Sequence, residues 1–119
     1  MLTQEKANQI GQRWVDDWND LSVAEYMRQY SDDVVLVSTI ALRLIPECNG
    51  TLTDKKILQA YWELVRERFP HFKFVISSIS FYENKVVVYY SSFKEGTKAI
   101  AILTVNPQGL INRVEVSYV

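Results

Sequence analysis

Few side chains in this sequence are placed to carry out acid–base chemistry, which needs a titratable group within reach of the substrate. His71 is the only histidine and follows Pro70. That position is a predicted helix-to-strand corner, which favours an exposed structural role over a general base. Asp16-Asp17 and Asp32-Asp33 are adjacent pairs. Their side chains point in different directions, so neither pair is expected to form a catalytic dyad.

Metal and cofactor sites are not indicated either. One histidine, Cys48 and scattered carboxylates offer no ligand spacing for zinc, and no acidic loop suits calcium. Without a nearby histidine or basic cluster, Cys48 is predicted to be an inert thiol. The four glycines form no phosphate-binding loop. We therefore expect neither a metal nor a cofactor.

Composition indicates a single globular domain over residues 1–119. The chain is 48% hydrophobic and 23% charged, which is typical of an ordered protein. Its net charge of −1 gives no electrostatic basis for binding nucleic acid or an anionic membrane. A single cysteine excludes an internal disulfide, and the first residues lack signal-peptide features, so we expect a cytoplasmic protein. No apolar run approaches membrane-spanning length.

Three segments in the first seventy residues are predicted to be helices. Each begins with an apolar residue followed by a hydroxyl N-cap, namely Leu2-Thr3, Leu21-Ser22 and Leu52-Thr53. Pro70 is expected to end the third helix. In the first helix, Gly11 lies beside an apolar stripe and costs about 1 kcal/mol relative to alanine. Another element is therefore expected to pack closely against it.

Between the second and third helices, Asp33 to Ile40 alternates loosely and is predicted to be a strand. Asp32-Asp33 is expected to end the second helix and start this strand. Residues 41–51 are predicted to be an irregular loop.

After Pro70 the sequence indicates almost continuous β-structure. Short turns separate four predicted strands, which indicates an antiparallel meander. These strands are Phe72–Phe81, Lys85–Phe93, Thr97–Val105 and Leu110–Tyr118. Helices followed by a sheet predict an α+β fold with the helices packed on one face.

The middle strands are apolar on both faces. The run from Val86 to Tyr90 and the run from Ala99 to Val105 show no polar alternation. An antiparallel sheet in a monomer normally exposes one face to water. We therefore favour a homodimer formed through the outer face of the sheet over a sheet that curls enough to hide both faces.

In this order and spacing, the predicted elements resemble the nuclear-transport-factor-2-like superfamily, in its bacterial SnoaL-like branch. The resemblance covers nearly the whole chain from Trp14 to Tyr118. Its motifs are Trp14-Val15-Asp16-Asp17-Trp18-Asn19, Tyr30-Ser31-Asp32-Asp33-Val34, Gly50-Thr51-Leu52, Lys56 to Trp62, Phe69-Pro70-His71-Phe72-Lys73-Phe74, Tyr89-Tyr90 and Gly109 to Tyr118. These motifs are specific for the fold and not for an activity, because the fold hosts many functions.

The resemblance implies a cystatin-like cone, in which a strongly curved antiparallel sheet wraps round the N-terminal helices and leaves a pocket at one end. The chain departs from ketosteroid isomerase-like members at three places. Ser38 takes the place of the base carboxylate, and Ala101 takes that of a neutral carboxyl group. Trp14 replaces a tyrosine donor, and its indole N–H donates a hydrogen bond without exchanging protons.

Two interpretations of the aromatic residues remain open: they fill the cone as core, or they line a small apolar cavity near Trp14, Ser38 and Ala101. The expected pocket residues are Trp14, Trp18, Tyr30, Ser38, Ile40, Tyr61, Trp62, Ala101, Leu103 and Tyr118.

The missing acids favour a protein that binds a small apolar or aromatic molecule without catalysis. The alternative is an isomerase, cyclase or lyase that acts on a ketosteroid- or polyketide-like substrate with tyrosine donors. Its catalytic candidates are Tyr61, Asp17 and His71.

Overall fold

The computed structural model describes residues 2–20, 23–70, 73–92 and 98–118, which form helices and a single mixed sheet. The predicted α+β class is confirmed. No helix in this described part combines the length and apolar character that crossing a membrane requires. The helices are α1 (Gln4–Asn19), α2 (Val23–Met27), α3 (Thr39–Leu44) and α4 (Lys55–Arg68). The strands are β1 (Tyr30–Ser38), β2 (Thr51–Thr53), β3 (Phe74–Tyr82), β4 (Lys85–Ser92), β5 (Lys98–Val105) and β6 (Ile111–Tyr118).

The sheet has the strand order β2-β1-β6-β5-β4-β3. Strands β3 to β6 form the predicted antiparallel meander. Strand β1 pairs with β6 in parallel, with Leu36 opposite Val114, a contact that turn lengths do not predict. The register shifts between Ile76 and Ser78 in the β3–β4 pair. Such irregularities bend a strand and increase its twist, which helps the sheet to curve round the helices.

Helix α1 begins as predicted, because the side chain of Thr3 accepts a hydrogen bond from the backbone N–H of Lys6. Its apolar stripe packs on the sheet, and at Gly11 the helix approaches β3 and β4 closely. A Cβ atom at Gly11 would lie 2.9 Å from Cδ1 of Ile79 and 3.1 Å from Cγ2 of Val88. The expected close packing at Gly11 is therefore confirmed.

The third predicted helix, α4, starts later than expected. Thr53 belongs to strand β2, and the N-cap is Asp54, whose side chain accepts a hydrogen bond from the backbone N–H of Lys56 at 2.7 Å. A carboxylate caps a helix as well as a hydroxyl does, so Asp54 replaces the predicted cap Thr53 without loss of the capping hydrogen bond. The helix ends at Arg68, before Pro70 as predicted. The predicted cap Ser22 of the second helix lies outside the described residues.

The segment after β1 is more ordered than predicted. Strand β1 ends at Ser38, and residues that were expected to be strand or loop form α3, a short 3-10 turn over Pro46–Cys48, and β2. Ser38 makes this break, because its hydroxyl oxygen accepts a hydrogen bond from the backbone N–H of Ile40. The Asp32-Asp33 pair is also corrected, since both residues lie within β1.

The contact at Gly11 generates a stability prediction. We expect Gly11→Val to lower the free energy of unfolding by about 2–3 kcal/mol, because added methyl groups overlap Ile79 and Val88. The exposed residue Gln9 on the same helix gives a control with the same β-branched substitution. Gln9→Val should change the free energy by less than about 1 kcal/mol. Urea unfolding measures both values, and equal losses would contradict the close packing.

Candidate functional site

A cavity of about 40 Å³ lies between the concave face of the sheet and the helices. The sheet contributes Tyr30, Leu36, Ser38, Phe74, Tyr90, Val114, Val116 and Tyr118 to its wall, and the helices contribute Trp14, Trp18, Tyr26, Ile40, Leu58, Tyr61, Trp62 and Val65. None of these described wall residues carries a formal charge at neutral pH. This volume has room for a few water molecules at most.

The cavity is small because stacked rings fill most of the cone. Phe74 is at the centre of the stack. Its ring centroid lies 4.8 Å from that of Trp18, with an interplanar angle of 6°, and 4.5 Å from that of Tyr90, with an interplanar angle of 43°. The ring of Trp14 lies 5.7 Å from Phe74. The amide of Asn19, at the end of α1, both donates to the carbonyl and accepts from the N–H of Phe74, at 2.9 Å each. The aromatic residues are therefore mainly core, with a remnant cavity between them.

Hydroxyl and indole groups provide the polar atoms of the wall. The indole N–H of Trp14 donates to the hydroxyl oxygen of Tyr30 at 2.8 Å in a buried hydrogen bond. Tyr26 interacts with the same hydroxyl. Elsewhere in the wall, the hydroxyl of Tyr61 interacts with Ser38. All of these groups are neutral donors or acceptors.

Burial keeps these phenols protonated. Desolvation raises the pKa values of Tyr26, Tyr30, Tyr61 and Tyr90 well above their ordinary value. Burial also raises the pKa of Tyr118 to about 12, against the opposing effects of the Arg43 charge and the hydrogen bond with Tyr90. The wall can therefore donate hydrogen bonds at neutral pH, but none of these phenols is ionised there.

The structure brings together all of the expected pocket residues except Ala101 and Leu103. These two residues are fully buried on β5 and are not part of the wall. Ala101 pairs with Val88, whose side chain lies against Gly11 of α1. Helix α1 thus covers this part of the sheet, and the expected placement of Ala101 and Leu103 beside the cavity is corrected.

The remaining catalytic candidates do not converge on the cavity. Tyr61 lies in its wall, whereas Asp17 does not. The carboxylate of Asp17 accepts hydrogen bonds from Gln29 at 3.1 Å and Arg13 at 3.4 Å. His71 lies outside the described residues. In the described part of the chain, no three His, Cys, Asp or Glu side chains are grouped closely enough to hold a metal ion.

Three aromatic wall residues were missed as pocket members, namely Tyr26, Phe74 and Tyr90. Tyr90 faces inward because strand residues alternate between faces, and it pairs with Ala99 on β5. That alternation was a usable signal, since Val86 and Val88 point to the same side. Tyr26 carried no comparable signal, because α2 is a short helix whose orientation depends on tertiary packing.

Comparison with solved structures identifies the architecture. The chain superposes on a SnoaL-like protein of unknown function from Burkholderia thailandensis with a TM-score of 0.92 and 22% identity, covering 98% of this chain and 97% of that one. A SnoaL-like family protein from Agrobacterium tumefaciens, proposed to be an isomerase, superposes with a TM-score of 0.79 and 14% identity. The match covers 97% of this chain and 98% of that one. An NTF2-like protein of unknown function from Cytophaga hutchinsonii superposes with a TM-score of 0.75 and 13% identity. The match covers 100% of this chain and 95% of that one.

The chain has the NTF2-like fold. No family model matches the sequence, and no curated protein matches it significantly. The resemblance that the sequence motifs indicated is confirmed at the level of the NTF2-like fold. At these identities the likeness carries no activity from the neighbours to this chain.

The buried phenols generate a prediction for alkaline pH. A phenol whose folded pKa is raised stays protonated after its unfolded counterpart has ionised. The unfolded state therefore binds fewer protons above about pH 10, and stability should fall as pH rises towards 12. Urea unfolding between pH 9 and 12, with phenolate absorbance as a second signal, measures this loss. Tyr118→Phe should make the loss smaller, and an unchanged pH dependence in that variant would contradict the assignment to Tyr118.

Proposed function

We propose that this protein binds a small, largely apolar or aromatic molecule in the cone and does not transform it. The observation that carries this proposal is the neutral wall, in which rings and hydroxyl groups surround the cavity without any charged side chain among its described members. Apolar cavities with a few placed polar groups are typical of small-molecule sites. None of the described wall residues is a general base.

The ligand must displace side chains at the mouth, because the cavity is smaller than an aromatic ring needs. An engineered apolar cavity of about 150 Å³ is known to bind benzene, whereas this one has about 40 Å³. Ile40, Val116 and Tyr118 are the half-buried apolar and aromatic members of the wall, so they separate the cavity from solvent. Ile40 belongs to the six-residue helix α3, which directly follows β1.

Toluene binding tests this proposal. Saturating toluene should raise the unfolding temperature, since a ligand at a hundred times its Kd adds about 2.7 kcal/mol of stability. Ile40→Trp should weaken toluene binding at least tenfold by blocking the mouth. Leu42→Trp is the matched control, because Leu42 lies on the same helix, is 44% exposed and is not part of the wall.

Toluene binding that is absent in the natural protein, or that neither substitution weakens, would contradict a ligand site in the cone. A Leu42→Trp variant that loses binding as strongly as Ile40→Trp would instead show that α3 was disrupted as a whole.

An isomerase, cyclase or lyase acting on a ketosteroid- or polyketide-like ketone is the second candidate. The buried hydroxyl of Tyr61 favours it, because a neutral phenol can donate to a developing oxyanion. None of the described wall residues can act as the base that removes the substrate proton. The carboxylate of Asp17 lies outside the wall, where it accepts hydrogen bonds from Arg13 and Gln29. Turnover of such a ketone by purified protein, lost in Tyr61→Phe, would replace the binding proposal with this one.

We also propose that a second copy of this chain covers the outer face of the sheet. Across β4 and β5 this face presents Val87, Tyr89, Ile100 and Ile102, which are half-buried or exposed. Arg113 and Glu115 lie beside them as an ion pair at 3.2 Å. A face that carries both signs of charge next to an apolar centre can meet its own copy across a two-fold axis without like-charge repulsion.

Sedimentation measures this assembly. The natural protein should sediment at twice the mass of the chain, and Ile102→Glu should sediment as a monomer because it places a charge in the apolar centre. Ile57→Glu serves as the control, since Ile57 is 46% exposed on α4 in the helical layer. A natural protein that sediments as a monomer would contradict the proposed dimer.

A further inference from the structure

Two hydrogen-bond donors in the cone have no acceptor among the described residues. They are the indole N–H groups of Trp18 on α1 and Trp62 on α4, and both residues belong to the cavity wall. Trp18 is 6% exposed and Trp62 is 3% exposed, so bulk water does not reach them. Within the described residues no acceptor lies in hydrogen-bond range of either group. A buried donor left unpaired costs about 1–3 kcal/mol, so this pair favours a ligand that supplies acceptors.

Contacts with neighbouring rings do not replace those acceptors. The rings of Trp18 and Trp62 meet edge to face, with centroids 6.1 Å apart and planes at 83°. Such an arrangement can direct an N–H at a π face. This contact is weaker than a hydrogen bond to oxygen, and much weaker than one to a carboxylate.

A cation lies beside the same two rings. The guanidinium carbon of Arg66, one turn after Trp62 on α4, is 5.9 Å from the ring centroid of each tryptophan. Partial burial lowers the pKa of this guanidinium, which nevertheless stays charged because arginine remains protonated in proteins. No acidic side chain is present among the described wall residues. Arg66 is not itself a wall residue, but it places a cation beside the two rings whose N–H groups have no acceptor among the described residues.

We propose that the ligand carries a carboxylate whose oxygens accept from the indole N–H groups of Trp18 and Trp62, with Arg66 supplying the balancing charge. This inference rests on the proposed binding function and names the chemical class of its ligand. A carboxylate suits the site better than a neutral carbonyl, because charged hydrogen bonds are the stronger ones and two acceptor oxygens match two donors. The remainder of the ligand is apolar and contacts the rings around Phe74.

Benzoate and nitrobenzene form the matched pair of probes. Both are planar rings with two terminal oxygens, but only benzoate is charged at neutral pH. Benzoate should bind the natural protein at least tenfold more tightly than nitrobenzene. Indole signals in a ¹H–¹⁵N spectrum report directly on the donors, since the chain has three tryptophans. The signals of Trp18 and Trp62 should move downfield with benzoate and to a smaller extent with nitrobenzene.

Substitutions then separate hydrogen bonding from packing. Trp18→Phe and Trp62→Phe keep a ring but remove the N–H, and each should lower benzoate affinity about tenfold while leaving nitrobenzene affinity within about threefold. Arg66→Gln should reduce the preference for benzoate, whereas Arg68→Gln, an exposed position on the same helix, should not. If a phenylalanine variant does not fold, the indole N–H shifts of the natural protein decide whether these donors bind the carboxylate.

Equal affinities for benzoate and nitrobenzene, or unshifted Trp18 and Trp62 signals, would overturn the carboxylate proposal. In that case binding of toluene would still support a ligand site in the cone. If toluene, nitrobenzene and benzoate all fail to bind, the proposed function fails together with this inference.

Discussion

The attachment of α1 to β3 through Phe74 is the constraint on which the conical core depends. The ring of Phe74 stacks on Trp18, and its backbone is held in both directions by the amide of Asn19. One residue thus fixes the end of a helix, the start of a strand and the position of several rings. Because stacked and edge-to-face pairs contribute about 0.5–1.5 kcal/mol each beyond burial, these contacts also stabilise the fold.

The same constraint decides which chemistry the cone can support. Rings that fill the interior leave little space and exclude water, so an ionisable side chain placed among them without hydrogen-bond partners and an opposite charge would be strongly destabilised in its charged form. The chain places hydroxyl and indole groups there instead, and burial keeps the phenols neutral. The neutral wall is therefore what a core of this kind tolerates. It also accounts for the lack of a carboxylate among the described wall residues.

Much of the architecture could be predicted from the sequence, because its signals are local. Thr3 caps α1 as expected, and Gly11 marks a close approach that only a missing side chain permits. The errors arise where two local signals compete or where contacts are distant. Asp54 and Thr53 are both good caps, and only the pairing of Thr53 in β2 decides between them. Helix α3 is too short for a periodic pattern to show.

The pocket was less predictable than the fold. Aromatic residues at helical spacing were expected near the cavity, and Trp14, Trp18 and Tyr61 are there. Their type does not reveal how much space they leave, since that depends on ring orientations set by neighbours from distant parts of the chain. Ala101 and Leu103 were misplaced for the same reason. A small residue in a strand indicates either an open cavity or a covering helix, and here α1 is the cover.

The parallel pairing of β1 with β6 has a consequence for synthesis of the chain. Val35 pairs with Arg113, so β1 can acquire this neighbour only after the residues of β6 have left the ribosome. Until then both β1 and β5 present a bare edge, and such edges invite pairing between molecules. We therefore expect a nascent chain of this protein to pass through an aggregation-prone stage, which ends when the eight residues of β6 dock between β1 and β5.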